Sequence, residues 1–513
     1  MHGIRETNDL VLPADGQDQH SLKLLRDQVA GDDTPDQSAT GVSGSKLADP
    51  NGLDPGGASA VDRFGQRIRM WGDLVKYRLS CHVLSHLRLF KAVFAVLRVV
   101  RPITIVGNVL VATKASDVRE VLERFDDFEL GDTIEPGMPW GPFLMTVDGR
   151  EQHARERQML QSVVEIADTQ FIRTIASENC QSCIEALKDT GQIDVVADLA
   201  ESVMVAVLAE YFGVPPLNGD RQRMAGVMRN LAGIIMVNPP VGSLPWSRSR
   251  ADIADLTCQL TQQLGSGGPT TAAASHPSIP AHSLLARLQR RHGQSGNPAW
   301  FDEEWIRCYL TGLVGTGGAT IVRGVTHAVD QLLEQTGALS HAQELSAALE
   351  RAIHHDQTSV AADAPNGQLA AAREALRGCI YEAMRFRPML PLLVRTCPRD
   401  TIIANGTPRA RRVPAGTLVL APPLAAMFDS EAFPDPLKFR DRPIESYFHF
   451  GFGPRHCFGK YIADVVMLEI VRALMRLPGL ARAPGQGGQV GYDGPAPCSL
   501  RVTFNANGSE PVH

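Results

Sequence analysis

Apolar side chains recur every three to four residues over 150–165, 195–212, 220–236, 249–264, 303–335 and 368–385. That spacing predicts helices with one buried stripe. Shorter stretches at 115–125 and 460–477 carry the same period. Residues 103–112 alternate instead, and Gly107-Asn108 in their middle marks a turn. Short strands fit 392–397, 401–403, 418–421 and 499–504, and residues rich in Gly, Pro, Ala and Ser at 264–283 and 356–367 read as loops. The pattern predicts a mainly α protein with small β-sheets and no internal repeat.

The N-terminal part breaks this pattern. Residues 1–62 are rich in Gly, Asp, Ser and Pro with little periodicity, so disorder is expected there, an amphipathic piece at 21–29 excepted. Over 63–100 basic residues (Arg67, Arg69, Lys76, Arg78, Arg88, Lys91, Arg98) alternate with Leu, Val and Phe. Such a segment either rests on a membrane surface or packs on the protein's own surface, and we favour the second. The 513 residues exceed one average domain. With 44% hydrophobic and 21% charged residues, they can bury a large core and a cofactor. A net charge of −6 argues against nucleic acid as a partner. The nine cysteines are scattered, which fits a reducing cytoplasm. Cys180 and Cys183 form a C-x-x-C without a second pair, and read as two cysteines on a helix rather than a zinc site. The first residues do not read as a signal peptide, and no stretch reaches the ~20 apolar residues that span a bilayer. The expected location is cytoplasmic, with peripheral membrane contact through 63–100 as the variant.

Candidate chemistry concentrates at Cys457, in the run Phe450-Gly-Phe-Gly453-Pro-Arg455-His456-Cys457-Phe-Gly459. A Gly-rich turn frees backbone N–H groups to point at a sulfur, and the helix start that follows favours the thiolate. A buried structural cysteine is the plain alternative. The run resembles the signature of the haem-thiolate cytochromes P-450, Phe-x-x-Gly-x-(Arg or His)-x-Cys-x-Gly, at every fixed position including Phe450 and Gly459. The resemblance covers roughly residues 100–505 and makes 101–513 the catalytic domain. It implies haem b (iron protoporphyrin IX), with Cys457 as iron ligand and Arg455 on a propionate.

The same resemblance assigns further residues. His153 and Arg157 form the His-x-x-x-Arg that holds propionates, and Arg395 in Leu-Leu-Val-Arg reaches a propionate from a strand. Glu-x-x-Arg occurs four times, and only Glu382-Ala-Met-Arg385 is followed by Phe-Arg-Pro as in the family's buried ion-pair helix, with Arg442 as third partner. In the long helix, Gly312, Gly315, Gly317 and Gly318 point either to close packing or to a kinked groove where oxygen binds. The family's (Ala/Gly)-Gly-x-(Asp/Glu)-Thr reads here Thr316-Gly317-Gly318-Ala319-Thr320: the alcohol is kept and the acid is Ala319. Proton delivery is then rewired, or the chemistry is that of a peroxygenase or lipid-hydroperoxide isomerase. The expected function is monooxygenation of an apolar small molecule lodged among 227–236, 310–314 and 388–393. Electrons would come from a separate ferredoxin- or flavodoxin-type donor docking on a basic patch of Arg455, His456 and Lys460. A non-catalytic haem ligand binder is the remaining alternative.

Overall fold

The computed structural model describes residues 72–82, 87–130, 140–237, 239–265, 280–358 and 366–506. The chain divides into two units, Met1–Asp62 and Arg63–His513, and the described residues belong to the second. The expectations for 1–62, for 21–29 and for the middle of both predicted loops fall outside the described residues.

Its centre is the helix Glu303–Glu334, buried along nearly its whole length. Asp302 starts it by accepting a hydrogen bond from Trp305 N at 2.8 Å. The helices Arg221–Val237, Leu244–Gly265, Asn366–Phe386 and Lys460–Met475 pack against it. Their apolar stripes, Met224, Val227, Met228 and Leu231 among them, join one continuous core. Residues 195–212 are helical throughout, but only Glu201–Val207 is α; Val195–Ala200 and Leu208–Phe212 are π-helical turns. Asp194 caps this run, its carboxylate accepting from Val196 N and Ala197 N.

Three helices were not singled out by the periodicity: Asp168–Leu187, Leu284–His292 and Ala338–Thr358. The first mixes polar and apolar residues with little net amphipathicity, the second is short, and the third buries mostly alanine. Cys180 and Cys183 sit together on the first.

The largest sheet has the order β1–β2–β7–β4, with β1 Ile103–Val106, β2 Val109–Ala112, β4 Leu393–Thr396 and β7 Leu418–Ala421. The 103–112 segment is therefore a hairpin turning at Gly107, where φ is +58°. β2 and β7 are parallel, and β4 closes the sheet antiparallel to β7. β5 Thr401–Ile403 pairs with β6 Arg411–Val413, and β9 Gly491–Asp493 with β10 Ala496–Ser499. β11 Arg501–Thr503 lies between β3 Gln192–Asp194 and β8 Ala481–Arg482.

Within 63–100, residues 72–82 and Arg88–Val100 are helical. The second helix seats Leu87 and Phe94 on Leu424 and Ala425, and leaves Leu89, Val96, Val99 and Val100 exposed. Among the described residues, no helix is long and apolar enough to cross a membrane.

Candidate functional site

The Cys457 loop is shaped by its glycines. Gly451 and Gly453 have φ of +68° and +71°, values that side chains with a Cβ rarely adopt. At Gly453 a Cβ would also lie 2.8 Å from the Cα of Glu123, so the loop lies hard against the helix Ala115–Glu123. Cys457 N donates to Phe450 O at 2.9 Å and closes the turn, and Gly459 begins the helix Lys460–Met475. Deep as it sits in the protein, Cys457 is open to solvent, so it faces an internal opening rather than packed side chains. Burial pushes its thiol pKa up, while the Gly459 N–H, Arg157 and Lys460 pull it down. The loop's donor thus acts in the expected direction, toward the thiolate, and burial opposes it. A coordinated metal would deprotonate the thiol outright.

Arg157 and His153 share the helix Arg150–Ser162, but they turn to different tasks. Arg157 Nη1 donates to the carbonyl of His456 at 2.9 Å, which ties its guanidinium to the Cys457 loop. His153 is buried beside Arg455, and burial with the nearby Arg455 and Arg157 charges pushes its pKa down to about 4. Arg395, on β4, is pushed down to about 10 by burial and by Arg455. Its recorded hydrogen bond goes to its neighbour's carbonyl, Val394 O, at 2.8 Å. Arg455 turns inward, with 6% of its side chain exposed, to pair with Asp148 and reach Met145 O; its Nε has no hydrogen-bond partner. Arg455 is therefore no part of a surface docking patch, and Lys460 is held by Asp464 at 2.6 Å.

Arg395, Arg455 and His153 thus gather around one close carboxylate, Asp148, with Glu129 further off. Buried cations call for anionic partners. The surplus of positive charge and the orphaned Arg455 Nε suit a group carrying two carboxylates, as the propionates of haem do. Asp148, which joins Arg455 and accepts from Leu130 N at 2.9 Å, escaped notice in the sequence because a lone Asp before a glycine reads as a turn residue.

Glu382 and Arg385 are fully buried and joined by two hydrogen bonds, Nε to Oε2 at 2.9 Å and Nη2 to Oε1 at 2.8 Å. Arg442 approaches Oε2 at 3.4 Å. Two groups not foreseen complete the carboxylate's shell: the Tyr447 hydroxyl at 2.8 Å and Arg440 N at 3.2 Å. Arg385 also donates to the carbonyls of Met427, Pro436 and Lys438. The other Glu-x-x-Arg pairs are partly exposed or lie elsewhere, Glu374–Arg377 among them.

In the long helix the two readings of the glycines divide by residue. A Cβ at Gly312 would lie 2.6 Å from the Phe143 ring, at Gly318 2.6 Å from Met228 Sδ, and at Gly315 3.2 Å from Leu231; at Gly317 it would meet nothing within 4 Å. Close packing explains three of them. Thr316, Gly317 and Thr320 are half-buried, and Gly317 faces open space, whereas Ala319 is buried at 4% exposure. Thr316 Oγ1 donates to Gly312 O at 2.7 Å, and Thr320 Oγ1 donates to Thr316 O. The α-helical pattern runs unbroken through this region. Among the described residues no group of three or more His, Cys, Asp or Glu is placed to hold a metal ion, so Cys457 would act as a lone protein ligand.

The sequence profile described as Cytochrome P450 matches residues 277–477. Linoleate diol synthase from Gaeumannomyces graminis is 41% identical over 83 residues, 16% of this chain, and the match spans only 7% of that protein's length. A mutant of P450 EryK in complex with erythromycin B superposes with a TM-score of 0.63 at 19% identity, covering 83% of this chain and 99% of that one. P450BioI, solved with an acyl carrier protein bearing hexadec-9Z-enoic acid, gives 0.62 at 16% identity over 83% and 100%. Residues 277–477 thus match the cytochrome P450 family, and the chain has the fold of the solved cytochromes P450, with its Gly-shaped cysteine loop beside a cluster of buried cations. The family binds haem.

Proposed function

We propose that the chain binds haem b through Cys457 and catalyses monooxygenation of an apolar, lipid-like small molecule. Thiolate-ligated haem supplies the cleavage of an O–O bond and the insertion of oxygen into substrate. The protein's share is binding, orientation and proton handling. His153, Arg395 and Arg455 would hold the propionates, Arg157 would steady the Cys457 loop and add positive charge beside the sulfur, and Phe450 and Gly459 would frame the ligand. Glu382, Arg385 and Arg442 would fix the fold around the loop without touching substrate. Gly317 would leave room for the bound group and its ligands, with Thr316 and Thr320 on the same stretch of helix. Because Thr320 spends its hydroxyl proton on Thr316 O, its free lone pairs can accept a hydrogen bond from water and hold that water near the reacting oxygen. Electrons for dioxygen would come from a separate ferredoxin- or flavodoxin-type protein. A lipid-like substrate is the expectation carried over from the largely apolar sequence of 227–236, 310–314 and 388–393. It accords with two names, a linoleate diol synthase and a structure holding a fatty-acyl carrier.

The observation that carries the proposal is the Phe450–Gly459 loop: it presents one cysteine to an interior opening beside a surplus of buried positive charge. Ala319 favours a second reading, a peroxygenase or lipid-hydroperoxide isomerase, since neither needs the acid that Ala319 replaces.

Isotope-labelled dioxygen with a surrogate ferredoxin system, set against labelled hydrogen peroxide alone, tests both readings on a panel of fatty acids. Label from dioxygen only when electrons are supplied establishes the monooxygenase; label from peroxide without reductant establishes the second reading. Unchanged compounds under every supply, with reversible carbon monoxide binding, would leave a ligand binder and refute both. Cys457→Ser is expected to abolish the red-shifted Soret band of the ferrous carbon monoxide complex; an intact band would remove Cys457 as ligand.

A further inference from the structure

One turn beyond Cys457, the phenol of Tyr461 lies 2.7 Å from the phenol of Tyr211, a side chain with no solvent exposure. Tyr211 in turn donates to Asp168 Oδ2 at 2.9 Å. A carboxylate only accepts, so Tyr211's single proton points at Asp168 and the proton between the two phenols belongs to Tyr461. Arg287 neutralises Asp168, with Nη2 at 2.7 Å from Oδ1 and Nη1 at 2.9 Å from Oδ2. The Tyr461 and Tyr211 rings stand 6.4 Å apart, and Tyr461 is 6.2 Å from Phe458, the residue next to Cys457. On the far side Tyr211 is 6.5 Å from Phe171, which meets the exposed His282 ring at 4.3 Å. Both phenol pKa values are raised, mainly by burial, so neither ionises on its own near neutrality.

A buried phenol that keeps its proton is hard to oxidise unless the proton leaves with the electron. Asp168 provides that base for Tyr211, and Tyr211 provides it for Tyr461. We infer that Tyr461 and Tyr211 form a relay that drains oxidising equivalents from the cofactor when peroxide reacts there without substrate. This inference rests on Cys457 being the haem ligand. The balance is that of a peroxide reductase. Hydrogen peroxide takes two electrons through the relay and two protons from solvent and becomes two waters. The electrons leave one at a time: as a phenol of the pair is oxidised, its proton shifts along the Tyr461–Tyr211–Asp168 line, and Asp168 holds it. Before the second electron leaves, an ascorbate-type one-electron donor reaching the Phe171–His282 edge returns one electron to the phenol and releases its own proton to solvent, while Asp168 returns the stored proton. The relay would protect an enzyme whose distal helix lacks the usual acid, and in which oxidant can outlast its reaction with substrate. A purely structural role would need only the hydrogen bonds that join the helices Asp168–Leu187, Leu284–His292 and Lys460–Met475 to the turn Leu208–Phe212.

The test uses the haem-loaded full chain, first checked for the red-shifted carbon monoxide band. The ferric protein is mixed with hydrogen peroxide without substrate, freeze-quenched and examined by electron paramagnetic resonance. A tyrosyl signal that narrows on ring deuteration of tyrosine is expected. It should fall at least fivefold in Tyr461→Phe and in Tyr211→Phe, while peroxide bleaches the haem several-fold faster in both. A signal unchanged in both variants, or no tyrosyl signal in a protein that shows the band, overturns the relay. Absence of the band overturns the haem-thiolate reading and the relay with it. Should a variant fail to fold, a nitroso spin trap on the unaltered protein decides: adducts at Tyr461 or Tyr211 support the relay, and adducts at other residues only refute it.

Discussion

A methyl group at Gly312 has to displace the Phe143 ring, whereas one at Gly317 has open space around it. Overpacking a tight site costs about 1–3 kcal/mol. Replacing an unencumbered helical glycine by alanine gains up to about 1 kcal/mol through backbone entropy. Gly312→Ala is therefore expected to lower the urea midpoint, and Gly317→Ala to leave it unchanged or raise it. If Gly317 borders the ligand side of the cofactor, Gly317→Ala should also weaken imidazole binding to the haem-loaded protein several-fold, which an optical titration measures. Stability lost in Gly317→Ala would show instead that its surroundings are packed like those of its neighbours. Sequence alone offered packing and a groove as competing accounts of all four glycines. Which residue takes which role depends on the partners Phe143, Met228 and Leu231, and these come from elements distant in the chain.

At the scale of elements, burial separates two copies of one motif. Glu382–Arg385 and Glu374–Arg377 lie on the same helix, eight residues apart, with the same spacing. The first is sealed in the interior; the second is 50% and 29% exposed. Removing one member of a buried pair strands the other's charge and costs about 3–5 kcal/mol, whereas an exposed pair contributes about 0–1 kcal/mol. Arg385→Met is expected to unfold at markedly lower urea and to retain haem poorly, and Glu374→Gln to match the unaltered protein. Equal midpoints would remove the ion pair as a structural anchor. The sequence already singled out the first pair, through the Phe-Arg-Pro that follows it. Hairpin, helices and small strands were legible too, because period and turn chemistry are local. The helix Asp168–Leu187 was not, although it carries Asp168. Its buried residues Ile172, Ile175, Ala176 and Cys180 do fall at helical spacing, with exposed Gln170, Thr174, Glu178 and Gln181 on the other side, but a stripe that includes an alanine and a cysteine is a weak apolar signal. The cation cluster was legible residue by residue through a resemblance. Its inward-turned Arg455 and its counter-ion Asp148 needed the fold.

For the molecule as a whole, buried histidines set the acid limit of stability. His449 is held at a pKa of about 4 by burial, with Nε2 2.9 Å from Tyr381 O and Nδ1 without a partner. His327, beneath Tyr492 and Pro388, lies well below its ordinary value, again through burial and then through Arg323 and Arg387. His153 and His456, both also lowered, are left out of the count, because a bound cofactor beside them would alter their values. In the unfolded chain each of these groups titrates near pH 6.5. A folded value depressed below the unfolded one means that the unfolded state holds more protons between the two. The contribution to stability is then whole above about pH 6.5 and declines as pH falls toward 4. At pH 6 the two histidines together predict an uptake of between one and two protons on unfolding, a slope of about 2 kcal/mol per pH unit. Carboxylates with lowered values, such as Asp330, act only below this window, while those raised by burial, Glu129 and Glu201, pull the other way nearer pH 5. The measurement therefore belongs between pH 6 and 7. Urea unfolding across that interval should give a slope that falls from about 2 kcal/mol per pH unit at pH 6 to about 0.7 at pH 7, and His449→Gln, which keeps a donor for Tyr381 O but cannot titrate, should reduce the uptake at pH 6 by somewhat less than one proton. A flat profile between pH 6 and 7, or a slope that His449→Gln leaves unchanged, would mean that water reaches the His449 ring through the fold and that its burial does not govern its protonation.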